Sequence, residues 1–119
     1  MEIRLQVPKS ILVALNQLYE MEQKLKKTGD PANLQRNVSK MRDAFEEFGL
    51  AYEDPMGQPF KETRTDLEAT ISGTGTENLV VVEVIKPIIR AVLREGAGEC
   101  SKMKIVQKAI VVVESRKEN

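Results

Sequence analysis

The stretch that decides the fold of this chain is DPANLQRNVSKMRDAFEEFGLAYEDPMG, from Asp30 to Gly57. Asp30 can accept hydrogen bonds from the first amides of a helix, and Pro31 suits the first helical position. Gly49 is the residue type that ends a helix in the left-handed conformation. The apolar residues between them, spaced in a narrow heptad-like pattern, are Leu34, Val38, Met41, Phe45 and Phe48. This stretch predicts an amphipathic helix from Asp30 to Phe48 that other helices must cover.

A first helix is predicted to begin near Pro8 to Ser10, with Ser10 as its cap, and to end at about Lys27. Its apolar face contains Ile11, Leu15, Leu18 and Leu25, joined by Ala14 and Met21. Glu22 interrupts that face. The opposite charges four residues apart, expected on the solvent side, are Glu20–Lys24 and Glu22–Lys26. This helix is therefore amphipathic too, with a less regular stripe.

The connection from Thr28 to Pro31 is short, which predicts that the two helices form an antiparallel hairpin. Two narrow stripes packed side by side still leave apolar surface exposed. A second copy of the hairpin would cover it and give a four-helix bundle in a homodimer. The alternative is that the hairpin packs on the chain's own sheet. The predicted dimer interface contains Ile11, Leu15, Leu18, Leu25, Leu34, Val38, Met41, Phe45 and Phe48.

After Gly49 the apolar pattern changes to one typical of strands. Asp54 to Gly57 predict a turn with proline second and glycine fourth. The predicted strand segments are Leu67 to Ile71, Leu79 to Ile85, Ile88 to Leu93, Lys104 to Gln107 and Ala109 to Val113, with turns at Ser72 to Thr76 and Gly96 to Gly98 and a break at Pro87. Met1 to Val7 is either a short strand or a frayed terminus. We expect an α+β protein, with a helical dimerisation region over 1–50 and a small antiparallel β domain over 51–119.

The composition argues against several classes of function. The 119 residues carry 18 basic and 18 acidic side chains, and aromatic residues make up 4% without tryptophan, so nucleic-acid binding is not expected. No apolar run reaches the roughly 20 residues of a membrane span, and no signal peptide is recognised. The single cysteine fits a reducing compartment. These features predict a soluble cytoplasmic protein that binds neither nucleic acid nor membrane.

The chain contains no histidine, which removes the commonest general base and most catalytic zinc sites. Cys100 lies between Glu99 and Ser101 and is interpreted as structural rather than reactive. The glycines of SGTGT, from Ser72 to Thr76, invite a phosphate-loop interpretation, but no Lys-Ser/Thr pair follows them. The acidic neighbours Glu46–Glu47 and Glu53–Asp54 are interpreted as solvated surface. We therefore expect no enzyme, no metal and no cofactor.

The order of four sequence elements resembles the GrpE family, the nucleotide exchange factors of DnaK-type chaperones. They are a helix ending in MRDAFEEFGL (41–50), Gly57-x-x-Phe60, the pair Glu68-Ala69 and the closing stretch KIVQKAIVVV (104–113). Leu67 stands where the family usually has histidine. In the family's closing Arg-x-x-Arg-Pro-Ala element, Lys104 and Ala109 fit, while Gln107 and Lys108 replace arginine and proline. The family's long preceding helix is represented only by Met1 to Val7.

The resemblance implies a homodimeric co-chaperone of protein folding and the stress response, without a cofactor. Its β domain would project as a wing that binds the nucleotide-binding domain of a DnaK-type chaperone and promotes ADP release. The partner-binding residues that the resemblance implies are Gly49, Leu50, Phe60, Glu68, Ala69, Lys104, Lys108 and Ala109. Each has a structural alternative, such as a wing-core role for Phe60 and a helix-cap role for Gly49. Two competing hypotheses are a dimeric adaptor that lacks exchange activity and, less favoured, an enzyme acting through Cys100.

Overall fold

The computed structural model describes residues 7–95 and 100–116, with side chains described for 7–92 and 103–116. The chain divides into two compact units, Met1–Ala51 and Tyr52–Asn119, here named the helical unit and the β unit. The elements are α1 (Lys9–Thr28), α2 (Gln35–Phe48), β1 (Leu50–Glu53), β2 (Leu67–Ser72), β3 (Leu79–Lys86), β4 (Ile88–Glu95), β5 (Cys100–Gln107) and β6 (Ala109–Ser115). The predicted α+β class is confirmed. The strand or frayed end at Met1 to Val7 and the turn at Gly96 to Gly98 lie wholly or largely outside the described residues.

Helix α1 begins one residue after Pro8, whose extended backbone cannot continue a helix. The Pro8 carbonyl accepts hydrogen bonds from the amides of Ile11 (3.0 Å) and Leu12 (3.3 Å). Ser10 therefore lies inside the helix, and its predicted role as the cap is wrong. No side chain caps this terminus with a hydrogen bond.

Helix α2 begins at Gln35 rather than at Asp30. Asn33 has a positive φ of 57°, which is incompatible with a helix that starts at Pro31. The expected cap is still used, because the Asp30 carboxylate accepts the amides of Leu34 (2.6 Å) and Gln35 (2.7 Å). The predicted end is confirmed. Gly49 is left-handed (φ 98°), and its amide donates to the carbonyls of Phe45 and Glu46.

The helical unit buries both apolar residues and one charge. Leu15, Leu18 and Val38 are buried, as is Glu22, which is only 5% exposed. Arg42 on α2 donates from Nη1 to Glu22 Oε2 at 2.9 Å. The prediction that Glu22 belongs to the solvent side is wrong, because the side chain turns toward α2 and its guanidinium.

The strands form two three-stranded sheets, with orders β1-β4-β5 and β2-β6-β3. β4 pairs with β5 and β3 pairs with β6 in antiparallel fashion. β2 and β6 are parallel, in register from Leu67–Ala109 to Ser72–Glu114. The prediction of an entirely antiparallel β domain is therefore wrong for this pair. A parallel pair requires a long crossover connection, and here the chain passes through β3, β4 and β5 before it returns as β6.

The buried cluster of the β unit consists mostly of β-branched residues, which pack well on a pleated surface. The buried cluster contains Leu67, Val81, Ile88, Ala109, Val111 and Val113. Pro87 separates β3 from β4, as predicted. None of the described helices is long and apolar enough to cross a membrane.

The turn before the core lies one residue later than predicted. The amide of Gln58 donates to the Pro55 carbonyl at 3.1 Å, and Gly57 takes the positive φ of 80° at the third position. The Gly57 amide donates to the Val81 carbonyl at 3.0 Å rather than to Asp54, whose side chain accepts the Met56 amide at 3.1 Å. Beyond the turn, the Phe60 amide donates to the Leu79 carbonyl at 2.8 Å, which holds this segment along the outer edge of β3.

Candidate functional site

Three of the residues implied by the resemblance are exposed in the β unit: Glu68 on β2, Lys104 on β5, and Lys108 between β5 and β6. The first and last belong to neighbouring parts of one sheet, since Leu67 pairs with Ala109 across the β2–β6 register. Lys104 belongs to the other sheet, where it pairs with Ala91. Of these three exposed residues, only Glu68 and Lys108 are therefore next to paired positions of the same sheet.

The other implied residues lie partly or fully inside the chain. Phe60 and Ala69 are partly buried and pack on the core cluster, to which Ala109 itself belongs. Leu50 is also buried, and Gly49 is the end of α2. Phe60 is therefore placed against the core of the β unit and Gly49 at the end of a helix, which are the structural roles named above as alternatives to partner binding. Leu67, at the position where the family usually has histidine, is a core residue as well.

Lys108 lies between two residues whose positions are fixed by hydrogen bonds. The Gln107 side-chain amide donates to the Pro87 carbonyl at 2.9 Å. The Ala109 backbone amide donates to the Asp66 carbonyl at 3.0 Å. An exposed cation is thereby carried on a backbone segment that is held on both sides.

Asp66 in turn is the centre of a polar network within the β unit. Arg64 binds its carboxylate with both Nε (3.0 Å) and Nη2 (2.8 Å), and its Nη1 donates to Gln58 Oε1 at 2.8 Å. Arg90 on β4 reaches Asp66 Oδ2 at 3.4 Å and Glu53 Oε2 at 3.0 Å. Two-point arginine–carboxylate contacts fix geometry as well as charge. The network ties the segment before β2 to β4 and to the end of β1.

The electrostatics of the network follow from these contacts. The pKa of Asp66 is lowered, first by the hydrogen bonds from Arg64 and further by the positive charges of Arg64 and Arg90, while desolvation acts in the opposite direction. The pKa of Arg64 is raised, chiefly by its hydrogen bond to Asp66. Two cations and two carboxylates balance, so the network is a neutral support rather than an anion site.

Sequence patterns did not single out this network. Arg64 and Asp66 fall in a polar run before β2, and Gln58 is part of a turn. The one available signal was Arg90, which interrupts an apolar strand. A charge within such a strand requires an opposite charge nearby, but only the fold identifies Asp66 and Glu53 as its neighbours.

The remaining candidate sites from the sequence analysis are the SGTGT turn, Cys100 and a possible metal site. A Cβ atom on Gly75 would collide with the Cβ and Oγ atoms of Ser115, so this glycine of SGTGT permits a close approach of two segments. Cys100 begins β5, and its side chain is outside the described ones. Among the described residues no group of three metal-binding side chains occurs.

The predicted dimer residues divide into an inner and an outer group. Leu15, Leu18 and Val38 are buried within the chain, and Ile11, Leu25 and Phe45 are partly buried. Leu34, Met41 and Phe48 are exposed. Leu34, immediately before α2, and Met41 and Phe48 on α2 are here named the apolar line on α2.

Comparison with known proteins finds no relative: no family model, no curated protein and no solved structure matches this chain. The proposed function therefore rests on the residues of this chain and their geometry.

Proposed function

We propose that this chain is a GrpE-like co-chaperone that promotes ADP release from a DnaK-type chaperone in the cytoplasm. It would serve protein folding and the stress response as a homodimer. The observation that carries the proposal is Lys108, an exposed cation in the closing stretch that resembles the family's, where it stands in place of proline and is held between Gln107 and Ala109. Glu68 and Lys104, exposed on β2 and β5, add charges that a protein partner can bind.

The proposed mechanism is a difference in affinity between two states of the chaperone. A factor that binds the open, nucleotide-free state better than the closed state shifts the population toward the open one. By reciprocity it weakens ADP binding by the same factor, and each tenfold change corresponds to about 1.4 kcal/mol. This mechanism needs a surface of fixed shape and no reacting group. The Arg64–Asp66–Arg90 network supports it by bracing the segment next to Lys108.

The homodimer is part of the proposal. An antiparallel hairpin of α1 and α2 would pair with a second copy to form a four-helix bundle. Leu34, Met41 and Phe48 support this arrangement, because a second copy would cover these three exposed apolar side chains. The contact of Glu22 with Arg42 supports the side-by-side packing of the two helices within one copy.

Release of a fluorescent ADP analogue from a DnaK-type chaperone of the same source tests the proposal. We expect saturable acceleration on addition of this protein. A second exchange factor, active on the same chaperone preparation, serves as the positive control. Unchanged release in the presence of a working control would contradict exchange activity.

A dimeric adaptor without exchange activity is the second candidate. Leu67 favours it, because the position where the family usually has a polar histidine is here a buried core residue. The two candidates differ in a binding measurement with the nucleotide-free chaperone. Binding that leaves ADP release unchanged would favour the adaptor, whereas binding coupled to faster release would favour the exchange factor.

A further inference from the structure

Strand β2 lies at the edge of its sheet, and its outer side has no strand partner within the described part of the chain. Its inner side pairs with β6 without a register shift. The Ala109 amide of β6 donates to the Asp66 carbonyl at 3.0 Å, which fixes the direction of the alternating backbone groups. Because alternate residues of a strand direct their amides and carbonyls to opposite sides, the residues that face away from β6 are Leu67, Ala69 and Ile71.

The opposite edge of the same sheet is protected. The segment 57–60 lies along the outer side of β3 and makes backbone hydrogen bonds of 2.8–3.0 Å with Leu79 and Val81. β3 also has two register shifts against β6, and irregularities of this kind hinder the addition of another strand. β2 has a regular register, contains no proline and carries one charged residue, Glu68. A regular, uncovered edge is the type of edge to which another strand adds.

The two faces of β2 define the chemistry of a strand that fits beside it. On the face toward the core, Leu67 is buried, Ala69 is partly buried and Ile71 is 46% exposed. The other face is polar and exposed, and Glu68 is its one charge. Directly opposed residues of neighbouring strands share a face. Apolar residues therefore suit one face of the added strand, and a basic residue suits the position beside Glu68.

A groove of about 480 Å³ lies at the open end of the apolar face. Its apolar lining consists of Pro59, Phe60, Ile71 and Leu79. Phe60 and Leu79 also pack against the core cluster, so this side of the groove is held in place. A strand bound along β2 would bring one side chain next to Ile71, at the groove. Strand addition derives affinity from backbone hydrogen bonds and specificity from pockets of this kind.

We infer that β2 binds an extended segment of another protein as an additional strand of this sheet. Apolar residues of that segment alternate with polar or basic residues. The backbone groups of Leu67, Ala69 and Ile71 supply the hydrogen bonds, the groove receives one apolar side chain, and Glu68 attracts a basic one. The occupant is extended rather than helical because the amides and carbonyls of a helix are bonded within the helix. This inference goes beyond the proposed function and does not depend on exchange activity.

Isothermal titration calorimetry with the full chain tests the inference. The probe is a short peptide in which valine and lysine alternate, capped at both ends, and we expect saturable binding. Two related peptides carry N-methyl groups on all valines or on all lysines. Since alternate amides of a strand face the same neighbour, only one of these two peptides should bind more weakly, by about tenfold or more. Failure of the unmethylated peptide to bind, or equal binding by all three peptides, would overturn strand addition.

A pair of isoleucine variants locates the binding edge. Ile71→Asn removes the apolar side chain at the groove without changing the charge, and we expect it to weaken peptide binding by about fivefold. Ile85→Asn, at an isoleucine 54% exposed on β3, is the matched control and should bind like the wild type. Urea unfolding of both variants checks that they fold. Equal binding by the two folded variants would overturn the assignment to β2, and the methylated peptides test the wild-type chain if either variant does not fold.

The same titration at two protein concentrations separates another protein from a second copy of this chain. We expect one dissociation constant for the peptide at both concentrations. A constant that rises with protein concentration would show that a second copy occupies the edge, and would overturn the assignment to a different partner. Since the titration contains no chaperone, its outcome is separate from that of the ADP-release assay.

Discussion

Each of the two units contains a carboxylate that is bound by arginine from the same unit. Among the described side chains, Glu22 is the one buried charge, and it is balanced by Arg42 from the other helix. In the β unit, Asp66 lies between Arg64 and Arg90. A buried carboxylate is costly without a partner, so each contact matters most when one side of it is removed.

Arg42→Met is expected to destabilise the helical unit by about 1–3 kcal/mol, because it leaves the Glu22 carboxylate buried without its close cation. Urea unfolding followed by helical circular dichroism measures the change. Lys26→Met is the matched control. Lys26 is 60% exposed and its Nζ lies 3.9 Å from Glu22, so we expect a loss below about 0.5 kcal/mol. Equal effects of the two substitutions would contradict the role of Arg42.

Asp66→Asn is expected to cost about 1–3 kcal/mol at neutral pH, because both arginines lose their shared carboxylate. The pKa of Asp66 is lowered in the folded state. Its stabilisation is therefore complete above the unfolded-state value of about 3.9 and is lost as the pH falls through the lower folded-state value. Urea unfolding at several pH values should show the difference from wild type shrinking only below about pH 4.

Glu68→Gln, at an exposed carboxylate on β2, is the control for Asp66→Asn and should leave the unfolding free energy nearly unchanged. A wild-type to Asp66→Asn difference that stays constant down to the lowest pH would contradict the charge-based explanation.

At the scale of elements, helix ends depend on individual dihedral angles that apolar spacing does not report. The end of α2 was predicted correctly, yet the helix begins at Gln35, after Asn33 in a left-handed conformation. The strands β2, β3, β4 and β6 were predicted close to their observed bounds, whereas β5 begins at Cys100 rather than Lys104 and β1 was not predicted. The pairing of the strands was not predicted, because parallel β2–β6 contacts join residues about forty positions apart in the chain.

Asp30→Ala is expected to destabilise the helical unit by about 1 kcal/mol, because the amides of Leu34 and Gln35 lose their acceptor. Thermal unfolding followed by circular dichroism measures this. Asp43→Ala, at an exposed aspartate within α2, is the control and should change stability by less than about 0.5 kcal/mol. The capping interpretation would be wrong if both substitutions had the same effect.

At the scale of the whole molecule, a helical unit with an open apolar line accompanies a β unit with exposed charges. This combination suits the proposed function, in which the dimer contact would use the helical unit and the partner contact would use the β unit. Lys108 is exposed, whereas the neighbouring Ala109 is buried. Partner recognition is therefore expected to respond to Lys108 and not to require a change in the core.

Lys108→Glu is expected to reduce the acceleration of ADP release by about two- to fivefold, because it reverses one charge at the proposed contact. Lys61→Glu, at another exposed lysine of the β unit, is the control and should retain the acceleration. Both are measured in the fluorescent-nucleotide assay at equal protein concentration. An unchanged rate for Lys108→Glu would remove Lys108 from the contact.

The sequence by itself determined the α+β class, the end of α2 at Gly49, five of the six described strand segments and the break at Pro87. These features depend on local preferences, namely apolar period, glycine conformation and the missing amide of proline. The tertiary structure alone decided that β2 and β6 are parallel, that Glu22 is buried against Arg42, and that Asp66 joins Arg64 to Arg90. Contacts between residues distant in the chain depend on which surfaces meet, and a linear pattern of residue types does not contain that information.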